Sequence, residues 1–262
     1  MIIELLMIGN EILIGKTLDT NSNWMAKRIT KFGHQVKRIT TIGDEIEVIS
    51  KTLQDILNRK PNIIITSGGI GPTFDDLTLQ GIAKGLNKRL ELNKKAYKTI
   101  KKTYERAYHK GLLKLEGMTK EREKMAYLPN GSKPLPNTVG TAPGVKIIEG
   151  DITIFILPGV PAEMKAMFRN IIVPILKEKK GKFVEKGFSF MEIGESQIAP
   201  YITKLEEKYP QLWIKTHPRV GLSVEVEVSI TAFNIENGEK LAEKALNEIR
   251  EIILRLNGKI KD

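Results

Sequence analysis

The amino-acid sequence predicts an α/β protein with a three-layer, mostly parallel sheet, followed by a small α+β module. Three observations carry this prediction. Residues 1–8 and 62–66 are short, near-continuous apolar runs, as strands buried on both faces are. Helix-like stretches stand between the strand-like ones, giving the order strand, helix, strand, helix, strand, loop, helix, which calls for right-handed parallel crossovers. The polar break Lys177-Glu-Lys-Lys-Gly-Lys182 then separates this part from a mixed tail. The expected domains are residues 1–176 and 183–262, one of medium size and one small.

Each element has its own signal. Residues 1–8 form the first strand, ended by Gly9. Residues 20–29 read as a helix, with a polar cluster ahead of apolar positions at helical spacing. Residues 35–42 form the second strand. Residues 45–58 form a helix with Ile46, Ile49, Leu53, Ile56 and Leu57 on one face. After the third strand at 62–66, Ser67–Thr73 is a turn and 76–86 a helix. Residues 94–124 read as one charged helix whose basic stripe is a solvated face. Pro134, Pro136, Gly140 and Pro143 make 133–144 a loop. Residues 145–148 and 152–157 form a strand pair, 158–161 a turn and 162–177 a helix. In the tail, strands are expected at 186–193, 213–218 and 224–232, and helices at 195–209 and 236–256. Residues 223–230 alternate polar and apolar, as a half-exposed antiparallel strand does.

Composition closes several routes. Hydrophobic residues make up 41%, enough for a real core. There is no cysteine, which excludes disulfides, thiolate metal sites and thiol catalysis. His34, His109 and His217 are too scattered for a histidine-based zinc site. No apolar run approaches the roughly 20 residues a membrane span needs. The chain opens directly in a strand-like run, without a signal peptide, so a cytoplasmic location and no membrane partner are expected. The net charge of +11 comes with abundant Ile, Lys and Glu, a balance that suits a hot environment with many surface ion pairs more than it argues for nucleic acid.

The chemistry concentrates in Thr66-Ser-Gly-Gly-Ile-Gly-Pro-Thr-Phe-Asp-Asp76. Gly68, Gly69 and Gly71 directly after a buried strand let the backbone turn sharply and approach a ligand. Their N–H groups and the helix start that follows suit an anion, beyond the carboxyl end of a strand where open sheets bind ligands. Thr73 adds a hydroxyl. Asp75 and Asp76 would repel a phosphate unless a hard divalent cation such as Mg²⁺ sat between them; a plain helix cap is the alternative for one of the two. Gly9-Asn-Glu-Ile-Leu-Ile-Gly15 is not a P-loop: five residues separate its glycines where four are required, and Ile12-Leu-Ile14 suggests packing. Glu11, just past the first strand, is either a cleft residue or a solvated loop side chain. Asp44 follows the second strand end, and two further Gly/Pro loops, 137–144 and 157–163, could line the same cleft. No G-x-G-x-x-G fingerprint is present, which argues against a dehydrogenase.

Taken together and in order, Gly-Asn-Glu-Ile-Leu-Ile-Gly with Asp19-Thr-Asn-Ser22, then Thr-Ser-Gly-Gly-Ile-Gly-Pro-Thr-Phe-Asp-Asp, then Asn-Thr-Val-Gly-Thr-Ala-Pro-Gly, then Leu-Pro-Gly-Val-Pro-Ala-Glu-Met, resemble the CinA family. Its N-terminal domain is similar to the molybdopterin-binding domain of the MoaB, MogA and MoeA proteins. The resemblance runs from Ile2 to about Pro174, and the tail resembles the small KH-like module of CinA. It implies metal-dependent pyrophosphatase activity on ADP-ribose or a related dinucleotide-type pyrophosphate, with a small nucleotide-type ligand as partner. Mg²⁺ is the expected metal, with Co²⁺ or Ni²⁺ as alternatives and K⁺ as a companion. Asp75 and Asp76 would be catalytic and metal-holding. Gly68, Gly69, Gly71, Pro72 and Thr73 would hold phosphate. Glu11, Asn21 and Asp44 would sit at the cleft. Asn137, Gly140, Thr141, Gly144, Pro158, Gly159 and Glu163 would form its far wall. Two departures stand out: Lys124-Met-Ala126 replaces a common Lys-Gln-Ala, and the amidase domain of full-length CinA is absent, so no deamidase activity is expected. Molybdopterin binding or adenylyl transfer is the alternative, and a non-catalytic ligand-binding role a third. Among residues from Gly181 onward no two glycines have the spacing of a GXXG nucleic-acid clamp, so the tail reads as structural, a contact of a homodimer.

Overall fold

In the computed structural model the described residues are 1–179, 181–219 and 225–261. Lys180 in the expected break, and Ser223 and Val224 at the head of an expected strand, lie outside them. The chain divides into two compact units, Met1–Ile29 with Gln35–Lys179, and Thr30–His34 with Lys180–Asp262.

The first unit runs β1 (Ile2–Ile8), α1 (Asn10–Leu13), α2 (Thr20–Lys31), β2 (Gln35–Ile42), α3 (Ile46–Asn58), β3 (Ile63–Ser67), α4 (Thr78–Gly85), β4 (Leu90–Leu92), α5 (Lys94–His109), α6 (Lys120–Lys124), β5 (Tyr127–Pro129), β6 (Lys133–Leu135), β7 (Gly144–Glu149), β8 (Ile152–Leu157), α7 (Pro161–Met167) and α8 (Val173–Glu178). Its main sheet has the order β2-β1-β3-β8-β7-β6. The pairs β1·β2, β1·β3 and β3·β8 are parallel, and β8·β7 and β7·β6 antiparallel. The fold is therefore the expected mostly parallel α/β sheet.

The apolar runs explain the burial. Leu6, Ile8, Ile64, Ile154 and Ile156 of the sheet join Ile49, Leu53 and Ile56 of α3, Ile82 of α4 and Ile100 of α5 in one core cluster. The alternate residues Leu5, Met7, Ile65 and Phe155 point the other way and are also buried. On that side α2 and the α7–α8 segment bring buried Met25, Ile29, Met164 and Phe168. Each such side chain removed from water contributes about 1.5–3 kcal/mol. β1, β3 and β8 are sandwiched between two helical layers, which is why the runs of β1 and β3 show no alternation.

Several local expectations fail for identifiable reasons. The helix expected over 94–124 breaks after His109. Gly111 and Gly117 take positive φ, +71° and +81°, and Thr119 starts a new turn by accepting a hydrogen bond from the Arg122 amide. Lys133–Leu135, expected within a loop, pairs with β7. The helix expected over 162–177 contains a π-helical turn at Phe168–Ile172. The helix expected from 76 starts at Thr78, which leaves Asp75 and Asp76 in the turn before it.

The second unit runs β9 (Phe183–Met191), α9 (Glu195–Lys208), β10 (Leu212–Arg219), β11 (Glu225–Phe233), α10 (Gly238–Arg255) and β12 (Lys259–Lys261). Its four-stranded antiparallel sheet has the order β10-β11-β9-β12. Phe190, Val228 and Ile230 on one face pack with Ile198 of α9 and Ile249 of α10. The strand β12 was not expected, since three residues carry no readable period. Among the described residues no helix is long and apolar enough to cross a membrane.

Candidate functional site

The sheet order places β1 between β2 and β3, so the chain crosses one way and then the other around β1. Such a reversal opens a crevice beyond the strand ends. A cleft of about 610 Å³ lies there, lined by the residues that follow β1, β2, β3 and β8.

The glycine loop after β3 is tied down on one edge. The Gly68 amide donates to Leu157 O at 3.1 Å, the Thr78 hydroxyl donates to Gly68 O at 2.8 Å, and the Thr78 amide to Gly69 O at 3.0 Å. Gly68 is therefore a structural member of the loop, and its N–H is not available for phosphate. Gly69, Ile70 and Gly71 donate no backbone hydrogen bond among the described residues, so their amides are the ones left to meet an anion. The Thr73 hydroxyl lies 2.6 Å from Asp75 Oδ1 and 2.5 Å from Asp76 Oδ2, and the Thr73 amide donates to Asp76 Oδ2 at 2.8 Å. The hydroxyl is spent on carboxylates rather than open to phosphate. It holds Asp75 below the usual carboxylate range. Because it has one proton, it can donate to only one of the two carboxylates at a time.

Asp44 joins the loops after β1 and β2: the Asn10 amide donates to Asp44 Oδ2 at 2.8 Å. Burial pushes the Asp44 carboxyl up, the Asn10 amide opposes this, and the charges of Glu11, Asp75 and Asp76 push it further up. A carboxyl whose folded pKa is raised contributes stability below its ordinary value, near 3.8, and loses it as pH rises. Asp44→Asn should therefore raise the unfolding midpoint at pH 7, by under about 1 kcal/mol because the group is only half-buried. The gain should vanish near pH 3. Thermal melts of both proteins from pH 3 to 8 check this; an equal difference at every pH would mean that the charge is not felt.

Glu11 folds back over Gly9, where a β-carbon would stand 2.6 Å from its carboxylate. Gly140, Thr141, Pro158, Gly159 and Glu163 line the opposite wall, and Pro72 and Thr73 the near one. Three of the expected cleft residues do not line it. Asn21 is 7% exposed and lies behind the wall, donating to Ser67 Oγ at 3.1 Å and Gly159 O at 2.7 Å. It braces the glycine loop against the loop after β8. Asn137 accepts from the Gly140 amide at 2.8 Å and donates to Glu163 Oε2 at 2.6 Å, so it shapes its loop and aims Glu163. Gly144 belongs to β7, and a β-carbon there would meet Met167 Cε at 2.4 Å, so its smallness serves packing.

The expectation that Ile12-Leu-Ile14 packs is also overturned: Leu13 and Ile14 are exposed, and so is Phe74, at 91%. Residues missed in the sequence include Tyr104 and Met125 in the cleft lining and Thr78 as the clamp on Gly68. In the sequence Lys124 stands out only as part of Lys124-Met-Ala126. Its ammonium donates to the Thr73 carbonyl; burial lowers its pKa, and Asp76 and Asp75 pull it back up.

A family described as "probable molybdopterin binding domain" matches residues 4–178. The CinA protein of Thermoplasma acidophilum, whose crystal structure is described as that of a protein of unknown function, is 35% identical. Its structure superposes with a TM-score of 0.60, covering 67% of this chain and 99% of that one. The chain belongs to the CinA family. Every candidate residue of this CinA-family chain falls inside the matched span. Proteins of Sulfurisphaera tokodaii and Aeropyrum pernix are 43% and 38% identical, each over 98% of this chain and 97% and 96% of their own length. The second unit of the CinA-family chain is thus shared with these relatives.

Proposed function

We propose that the protein is a metal-assisted hydrolase of a dinucleotide-type pyrophosphate, with ADP-ribose the favoured substrate. The observation that carries this reading is one cleft holding both the undonated amides of Gly69–Gly71 and the carboxylates of Glu11, Asp44, Asp75 and Asp76. Amides suit phosphate oxygens and carboxylates do not, so the two belong together when a cation lies between them. Among the described residues no group of three or more His, Asp or Glu side chains is arranged to hold a metal alone. The oxygen donors present nevertheless fit a hard cation of the Mg²⁺ kind, which is commonly held by one or two carboxylates together with substrate phosphates.

Such an ion, when bound, would neutralise phosphate charge. The chain's own groups would do the rest. The amides of Gly69, Ile70 and Gly71 would fix the phosphoryl oxygens. Asp76 or Asp75 would orient a water for in-line attack and take its proton. The new bond joins the water oxygen to phosphorus, and the bond to the bridging oxygen breaks, releasing AMP and ribose 5-phosphate.

The test is product analysis of ADP-ribose, FAD and NAD, each incubated with Mg²⁺, Co²⁺ or Ni²⁺ and with K⁺ present. AMP and ribose 5-phosphate from ADP-ribose, lost with EDTA, is the expected result. No turnover of any substrate with any metal overturns the reading. The family match favours a second reading, binding of molybdopterin or adenylyl transfer to it; tight molybdopterin binding without ADP-ribose turnover would select it.

A further inference from the structure

Next to the cleft is a second cavity of about 390 Å³. It shares Ile70, Gly71, Asp76 and Met125 with the cleft, so the two stand on either side of the glycine loop. Its character differs. Ile70, Leu79 and Met125 are buried apolar residues, Leu90 adds a half-buried one, and Tyr127 borders it with 39% of its surface exposed. The short ladder between β4 and β5, in which Leu90 faces Pro129 and Leu92 faces Tyr127, holds this wall together. Its polar lining residues are Asp76, Gln80, Lys120, Glu123 and Lys124. The amide of Gln80, on α4, offers a donor and an acceptor side by side. The Tyr127 hydroxyl reaches Glu123 Oε1 at 3.4 Å. Lys124 lines this cavity and binds the Thr73 carbonyl of the loop, so a positive charge stands at the partition.

Apolar walls with a few placed polar groups are what a flat, amphipathic ring requires: its faces lose water, and its edge keeps hydrogen bonds. We propose that this side pocket seats the heteroaromatic ring, of purine type, of the same ligand whose phosphates meet the glycine loop. The assignment rests on the phosphate reading above. Leu79 and Leu90 cover the ring faces, and Tyr127 stacks at the mouth. The Gln80 amide pairs with an exocyclic amine and the adjacent ring nitrogen, the combination by which a glutamine side chain recognises adenine. Lys124 meets the phosphate nearest the ring.

Calorimetric titration of the whole chain with adenosine, AMP and inorganic pyrophosphate, with Mg²⁺ present, tests this. Wild type should bind all three, AMP most tightly. Leu90→Trp fills the pocket, and Tyr127→Ala removes the stacking partner. Each should weaken AMP by about tenfold or more while pyrophosphate changes less than threefold. If Leu90→Trp proves unfolded by circular dichroism, Tyr127→Ala decides alone. AMP affinity unchanged in the folded variants, with pyrophosphate still bound, would put the ring elsewhere and leave the phosphate reading standing. Adenosine bound by wild type and lost in the variants, with no pyrophosphate binding, would sink the phosphate reading and keep the pocket. Binding of none of the three would remove both.

Discussion

Gly68→Ala is expected to cost about 3 kcal/mol of stability or more, and with it all binding of phosphate-bearing ligands. Two effects add. Gly68 has φ +116°, which an L side chain rarely adopts, and a β-carbon there would stand 1.9 Å from the carbonyl oxygen of Ile8. That carbonyl ends β1, so it cannot move without disturbing the strand pairing beneath the cleft. Gly131→Ala separates the two contributions, because Gly131 also has positive φ, +78°, but nothing lies within 4 Å of its added carbon. That control should cost about 1 kcal/mol, the conformational part alone. Urea midpoints of the two variants give the difference. If Gly68→Ala loses no more than Gly131→Ala, the loop is not packed against β1 as described.

Asp76→Asn should lower turnover of ADP-ribose by about a thousandfold while leaving the melting temperature within a few degrees of wild type. The substitution keeps size and one acceptor oxygen, so the Thr73 amide retains a partner, and what disappears is the charge. Thr73 cannot satisfy Asp75 and Asp76 together with its single hydroxyl proton, so one carboxylate oxygen is always left to turn towards a cation. Steady-state rates against Mg²⁺ concentration read the effect directly. Metal-dependent turnover near the wild-type rate in Asp76→Asn would remove Asp76 from the proposed mechanism.

The parts of the molecule that the sequence made legible are those dictated by burial. Residues 63–67 are all buried, so an unbroken Ile-Ile-Ile run has no other place to go than the middle of a covered sheet. The glycine loop was readable too, because three glycines after such a strand have few uses other than a close approach. Most of the Gly/Pro loop residues did converge on one cleft, as strand order alone requires. What could not be read were the interactions of side chains distant in sequence. Asn21 stands in a polar helix start, and only the fold brings it to Ser67 and Gly159. Gly144 looked like a loop glycine because prolines surround it, whereas Met167 fixes its size. The charged stretch after residue 94 held helical periodicity well enough to hide the breaks at Gly111 and Gly117. Leu13, Ile14 and Phe74 are apolar residues left in water, which a burial argument always misplaces.

The central pairing of β3 with β8 carries a further meaning for how the molecule comes into being. Ser67 and Pro158, whose hydrogen bond closes the back of the cleft, are 91 positions apart in the chain. Between them lie α4, the α5–α6 region and the β6–β7 strands, all of which must be in place or looped out before β8 can slot beside β3. Closing so long a loop is entropically slow, and parallel strands gain nothing from a local turn. During synthesis β1, β2 and β3 can pair early, but β3 then waits with one edge bare until residue 157 has emerged. The cleft is therefore completed only after β8 and the start of α7 have emerged, and the bare edge of Ile63–Ser67 stays open to wrong partners in the interval.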